Sequence, residues 1–86
     1  MARQLNNIEM LKDFGSIQIS DTIRYSFWTV KASNGKGFMI IKEMRKPKWP
    51  PGYWRYFTGS PVMTKPVFEA LVKLIELSGE EIKEML

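Results

Sequence analysis

Residues 16–20 alternate Ile17 and Ile19 with polar neighbours, the two-residue period of a short half-buried strand, and Asp21 then turns the chain. Residues 22–33 are dense in β-branched and aromatic side chains and lead into Ser33-Asn34-Gly35-Lys36-Gly37. The Asn-Gly pair there favours a tight hairpin with positive φ at the turn. Residues 38–45 read as the return strand. Pro47, Pro50 and Pro51 cannot donate to a ladder, so the next stretch is an irregular loop, and residues 53–59 form a fourth strand closed by Gly59. The period then changes: Phe68, Leu71, Val72 and Ile75 recur at three- and four-residue spacing. Thr64 is the N-cap candidate, Pro66 sits in the first turn, and Gly79 is the stop. Residues 80–86 read as a short helical tail. The first fifteen residues carry only a weak apolar spacing at Leu5, Ile8 and Leu11, and are expected to be a flexible arm. The pattern predicts an arm over 1–15 and a single α+β domain over 16–86, a four-stranded sheet followed by an amphipathic helix.

Such a sheet has one face that a single helix can cover, so each strand must show two chemistries. The second strand places Ile23, Tyr25, Phe27, Thr29 and Lys31 on one side and Arg24, Ser26, Trp28, Val30 and Ala32 on the other. Neither side is purely polar. Length sharpens the point: 86 residues bury only about 60–65% of the unfolded chain's surface. The helix also carries Val67, Leu74 and Leu77 beyond what one sheet can cover, so a homodimer is expected.

Composition removes whole classes of function. With no Cys and no His, disulfides, the usual zinc sites, thiol nucleophiles and the commonest general base are unavailable, and the acids are scattered. No enzymatic activity, metal or cofactor is expected. No apolar run approaches the roughly 20 residues of a membrane span, and the first residues lack the basic-then-apolar form of a signal peptide. The expectation is a soluble intracellular protein without a membrane partner, placed in the cytoplasm or nucleoid, or in the nucleus of a eukaryote.

Charge changes the picture more. Between Thr22 and Thr58 there are eight basic residues (Arg24, Lys31, Lys36, Lys42, Arg45, Lys46, Lys48 and Arg55) against Glu43 alone, whereas residues 59–86 carry three basic and five acidic ones. The same middle segment holds nine of the eleven aromatics. Rings beside cations suit single-stranded nucleic acid, because unpaired bases stack on aromatics while phosphates meet ammonium and guanidinium groups. On this reading the eight basic residues contact phosphates, and Trp49, Trp54, Tyr25, Phe27 and Phe38 are the stacking candidates. Trp49 is the most informative ring, lying between Lys48 and two prolines in a stiff loop that would hold it out from the sheet. Trp54 is divided between core and ligand. The plainer alternatives are that aromatic strands are core, Trp28 above all, and that lysines beside a hairpin are solvated or block edge pairing.

The order of Ile-Gln-Ile-Ser, Ile-Arg-Tyr, Asn-Gly-Lys-Gly, Ile-Lys-Glu-Met-Arg and Pro-Pro-Gly, followed by a Pro-bearing amphipathic helix, resembles the DNA-binding domain of the transcriptional coactivator Positive Cofactor Four. Relatives of that family include small prokaryotic and phage single-stranded-DNA-binding proteins. The resemblance runs from about Ser16 to the C-terminus. It implies an antiparallel four-stranded sheet, dimerisation through the helices, and paired β-ridges that hold single-stranded or melted DNA. By position it places Arg24, Lys36 and Lys42 on the bound strand and makes Trp49 the nearest counterpart of the family's stacking Trp, displaced by several residues. The chain departs from the family at the hairpin, where an aromatic is missing unless Phe27 or Phe38 supplies it. It departs again at Pro61 and in the long connection before the fourth strand.

The expected function is therefore binding of single-stranded DNA, with RNA as the alternative, with little sequence preference. Transcription, replication or repair is the setting, with transcription or replication proteins as further partners. Two rivals use the same residues: a duplex-DNA or chromatin-type protein, and a dimeric protein-interaction module with an aromatic docking face.

Overall fold

The computed structural model describes the backbone of residues 3–5 and all atoms of residues 7–81; most of the expected helical tail lies outside them. The four expected strands and the C-terminal helix are present, and the fold is α+β with an antiparallel sheet. A short fifth strand precedes them. In chain order the elements are β1 (Arg3–Leu5), β2 (Ile8–Gln18), β3 (Ile23–Ala32), β4 (Gly35–Met44), β5 (Arg55–Gly59) and α1 (Lys65–Ser78), and the strands lie side by side in that order.

The main departure is at the N-terminal end, where the expected arm is a strand. β2 pairs with β3 from Glu9 to Gln18, and its register slips twice, leaving Leu11 and Phe14 as unpaired bulge residues. Each bulge adds one residue to a two-residue repeat. Leu11 and Phe14 therefore fall out of the alternation, and the three-residue spacing of Ile8, Leu11 and Phe14 imitates a weak helix. Gly15 takes φ 126°, and its N–H donates to Asp13 Oδ1 at 2.8 Å, which fixes the second bulge.

The hairpin differs in detail from expectation. Its loop is Ser33 and Asn34, neither with positive φ, and Gly35 carries φ 127° at the start of β4. Gly favours the last position of such a turn. This turn sets the β3–β4 register, with Arg24 opposite Glu43, Tyr25 opposite Lys42 and Lys31 opposite Lys36.

Both faces of the sheet carry an apolar cluster. Tyr25, Phe27 and Ile40 pack against Phe68 and Ile75 of α1, whereas Met10, Val30, Met39 and Ile41 form a second cluster with Ile8, Trp28 and Val62. Beyond β5 the chain stays beside β4 despite Pro61. Ser60 N–H donates to Ile40 O and Ile40 N–H to Ser60 Oγ, both at 2.9 Å, and Phe38 and Met63 exchange a pair of backbone bonds. The serine hydroxyl thus supplies the acceptor at the break in the ladder. Val62 lies so close above β4 that a Cβ on Gly37 would stand 2.5 Å from Val62 Cγ1 and 3.1 Å from Met63 O.

The helix boundaries follow the sequence. Thr64 occupies the N-cap in extended conformation, although its hydroxyl makes no capping bond. Gly79 closes the helix in the left-handed region at φ 63°, its N–H donating to Ile75 O at 2.8 Å.

Candidate nucleic-acid interface

The connection between β4 and β5 is two successive turns. Trp49 N–H donates to Lys46 O at 3.0 Å and Tyr53 N–H to Pro50 O at 3.1 Å. In the second turn Pro51 is followed by Gly52 at φ 82°, the residue types and geometry of a type II turn. Arg45 pins the loop. Its backbone N–H donates to Thr22 O at 2.9 Å, while its guanidinium donates to Trp49 O and lies 3.5 Å from the carbonyl oxygens of Asp21 and Pro50. The guanidinium that was expected to meet a phosphate thus holds the loop.

The rings and charges of this stretch pack on one another. Trp54 lies between two guanidinium groups, Arg24 at 4.9 Å and Arg45 at 5.9 Å from the ring centre. Trp49 meets Tyr53 edge-on at 5.2 Å with Arg55 at 5.9 Å from its ring. Both tryptophans are half-buried, so neither stands clear of the surface as a bare platform. Arg24 is further engaged by Glu43, its Nε 2.7 Å from the buried carboxylate. The single acidic residue of the basic segment is thereby consumed.

Tyr25, Phe27 and Phe38 pack towards α1 instead of standing out from the sheet as stacking rings. Tyr25 is fully buried and Phe27 nearly so beneath α1, and Phe38 stacks on Phe68 at 4.8 Å with 24° between planes. Burial beneath the helix is the physical reason for Tyr25 and Phe27, whereas the half-buried Phe38 has one ring face engaged by Phe68. Lys42 is also buried, its Nζ 2.7 Å from Glu81 Oε2. Trp28 sits half-buried on the face away from the helix, its indole N–H donating to Ser26 Oγ at 2.9 Å.

Of the eight basic residues of the middle segment, five remain exposed, in two groups. Lys46, Lys48 and Arg55 surround the loop, while Lys31 and Lys36 face each other near the hairpin tip; none of the five forms an ion pair among the described residues. The ten residues of β4 separate the groups by about 30 Å at 3.3 Å per residue. Between Arg45 and Gly59 there is no acidic side chain.

The rings of this stretch that do reach solvent are Tyr53 (48% exposed), Tyr56 and Phe57 (55%). A bulge at Phe57, between the pairs Lys42–Thr58 and Glu43–Tyr56, breaks the alternation expected of this strand. Tyr56 and Phe57 are exposed because β5 is an edge strand that pairs with β4 on one side only. The signal available in the sequence was the density of aromatics next to three prolines; which ring faces out depends on the bulge.

A second aromatic feature lies between β2 and α1. Phe14, on its bulge, lies over Phe38 and Phe68 at 6.2 and 6.4 Å, and these rings with Phe27 line an open groove of about 580 Å³ edged by Lys65, Glu69 and Glu76. No group of three or more His, Cys, Asp or Glu able to hold a metal occurs among the described residues, and none of their helices is long and apolar enough to cross a membrane. No family model, no curated protein and no solved structure matches the chain.

Proposed function

We propose that the protein binds single-stranded nucleic acid, DNA in the first instance, with little sequence preference, and that it does so as a homodimer. The observation that carries this reading is the β4–β5 connection. Together with the start of β5 it exposes Tyr53, Tyr56 and Phe57 in the same stretch of chain as the exposed Lys46, Lys48 and Arg55, with no carboxylate within that stretch. Bases stack on exposed rings whatever their identity, and lysines at the rim neutralise phosphates without reading sequence. Pinning by Arg45 and the Pro-Pro-Gly turn pre-orders the loop, so little conformational entropy is lost on binding. The dimer is supported by the outer face of α1, where Val67, Leu74 and Leu77 are exposed.

Fluorescence titration against single-stranded DNA, duplex DNA and RNA of matched length tests the binding. Tighter binding to the single strand is expected; equal affinity for the duplex would favour a duplex-binding protein, and no binding at low salt would end the nucleic-acid reading. Sedimentation tests the assembly, and a monomer at micromolar concentration would remove the dimer.

A further inference from the structure

Among the described residues, Lys42 is the one lysine of the sheet whose ammonium already holds a carboxylate. Its Nζ lies 2.7 Å from Glu81 Oε2 and 5.2 Å from the centre of the Phe57 ring. The lysine side chain is 11% exposed and the glutamate 31%, whereas Phe57 is open to solvent. Two backbone features assemble the group. The bulge in β5 turns Phe57 towards Lys42, and Gly79 ends α1 in the left-handed region, so the chain reaches Glu81 beside β4 rather than continuing along the helix.

A carboxylate presents to an ammonium group two charged oxygens, much as a phosphodiester does through its two non-bridging oxygens. A shielded cation beside an exposed ring is the pair that one nucleotide requires, phosphate on the first and base on the second. We infer that Lys42 and Phe57 form a nucleotide subsite, and that Glu81 occupies its phosphate position in the free protein. A bound strand displaces the carboxylate, seats a phosphate on Lys42 Nζ and stacks a base on the solvent face of Phe57. Glu81 therefore lowers affinity by competition, and its release from Lys42 accompanies binding. This rests on the nucleic-acid reading above for the identity of its ligand.

The plainer role for the pair is to fasten the end of α1 to β4, and one variant separates the two. Glu81→Gln keeps the shape of the side chain and removes its charge. The competing role predicts that oligothymidylate binds this variant about two- to fivefold more tightly at low salt, the bias expected from losing a partly exposed ion pair. Lys42→Ala should abolish that gain in the double variant, and Phe57→Ala should weaken binding with either residue at position 81. Tripolyphosphate, followed through the NMR signals of Lys42, should also bind more tightly to Glu81→Gln. A lower melting temperature with unchanged affinity for both probes would mark the pair as purely structural and overturn the inference. Failure of the wild-type chain to bind any oligonucleotide would overturn the nucleic-acid reading instead, because tripolyphosphate tests the anion position of Lys42 independently.

Discussion

Replacing Trp54 by Ala should destabilise the fold far more than it weakens binding. The ring is half-buried between Arg24 and Arg45. A fully enclosed Trp buries about 150–250 Å², so about 100 Å² is at stake here, or about 2.5 kcal/mol at 25 cal per Å². Each guanidinium contact adds about 0.5–1 kcal/mol. Both arginines can rehydrate, and Arg24 keeps its bond to Glu43, so the net loss should be about 2–4 kcal/mol. That is a large part of the roughly 4–13 kcal/mol expected for a domain of this size. At about 4–8 °C per kcal/mol, the midpoint of thermal unfolding followed by circular dichroism should fall by roughly 10–30 °C, with Trp54→Phe recovering about half. If the midpoint of Trp54→Ala falls by less than about 5 °C while oligonucleotide affinity drops tenfold or more, the ring is a ligand platform and its place between the arginines contributes little.

The exposed rings should behave in the opposite way. Tyr53→Ala and Tyr56→Ala should leave the unfolding midpoint nearly unchanged and each cost about 1–3 kcal/mol of single-strand binding by fluorescence titration, and wild-type affinity in both would remove stacking from the proposal. With Arg24 and Arg45 engaged internally and Lys42 released from Glu81 on binding, about four to six cations should meet phosphates, so log affinity against log salt should slope at about −3 to −4; a flat response would exclude phosphate contacts. Gly37→Ala should cost about 1–3 kcal/mol in chemical denaturation because Val62 and the Met63 carbonyl fill the space of the new methyl group, and an unchanged midpoint would show that residues 61–63 move aside freely.

The strands from β3 onward and α1 could be read because local pattern and tertiary structure agree there. Residues 8–15 could not, since a bulged strand loses the alternation by which strands are recognised. Fates of individual site residues turned on register. A turn centred on Asn34 and Gly35 would have set Arg24 opposite Arg45, two like charges on the open face. The turn at Ser33 and Asn34 sets it opposite Glu43 and takes both out of service. Tyr25 and Phe27 were ambiguous for a different reason: both faces of the sheet are apolar, so hydrophobicity alone could not tell which one the helix covers. The partner of Lys42 was beyond local reasoning, lying 39 residues away past the end of the helix.

The two bulges of β2 have a consequence for how the protein behaves at high concentration. Beyond Met10 the outer edge of β2 has no strand beside it among the described residues, and an open edge of that length is a template on which another chain can add. Templating needs hydrogen-bonding groups that repeat at a constant interval. The extra residues at Leu11 and Phe14 break that interval twice within the open stretch, so an approaching strand finds no continuous ladder to extend. Deleting both would restore an even edge and keep the β2–β3 partners on either side in register, at the cost of the contacts of Phe14 with Phe38 and Phe68. The shortened chain should then convert to fibrils under conditions in which the native chain stays dispersed, with the irregularity that hides β2 from sequence reading acting as its protection against polymerisation.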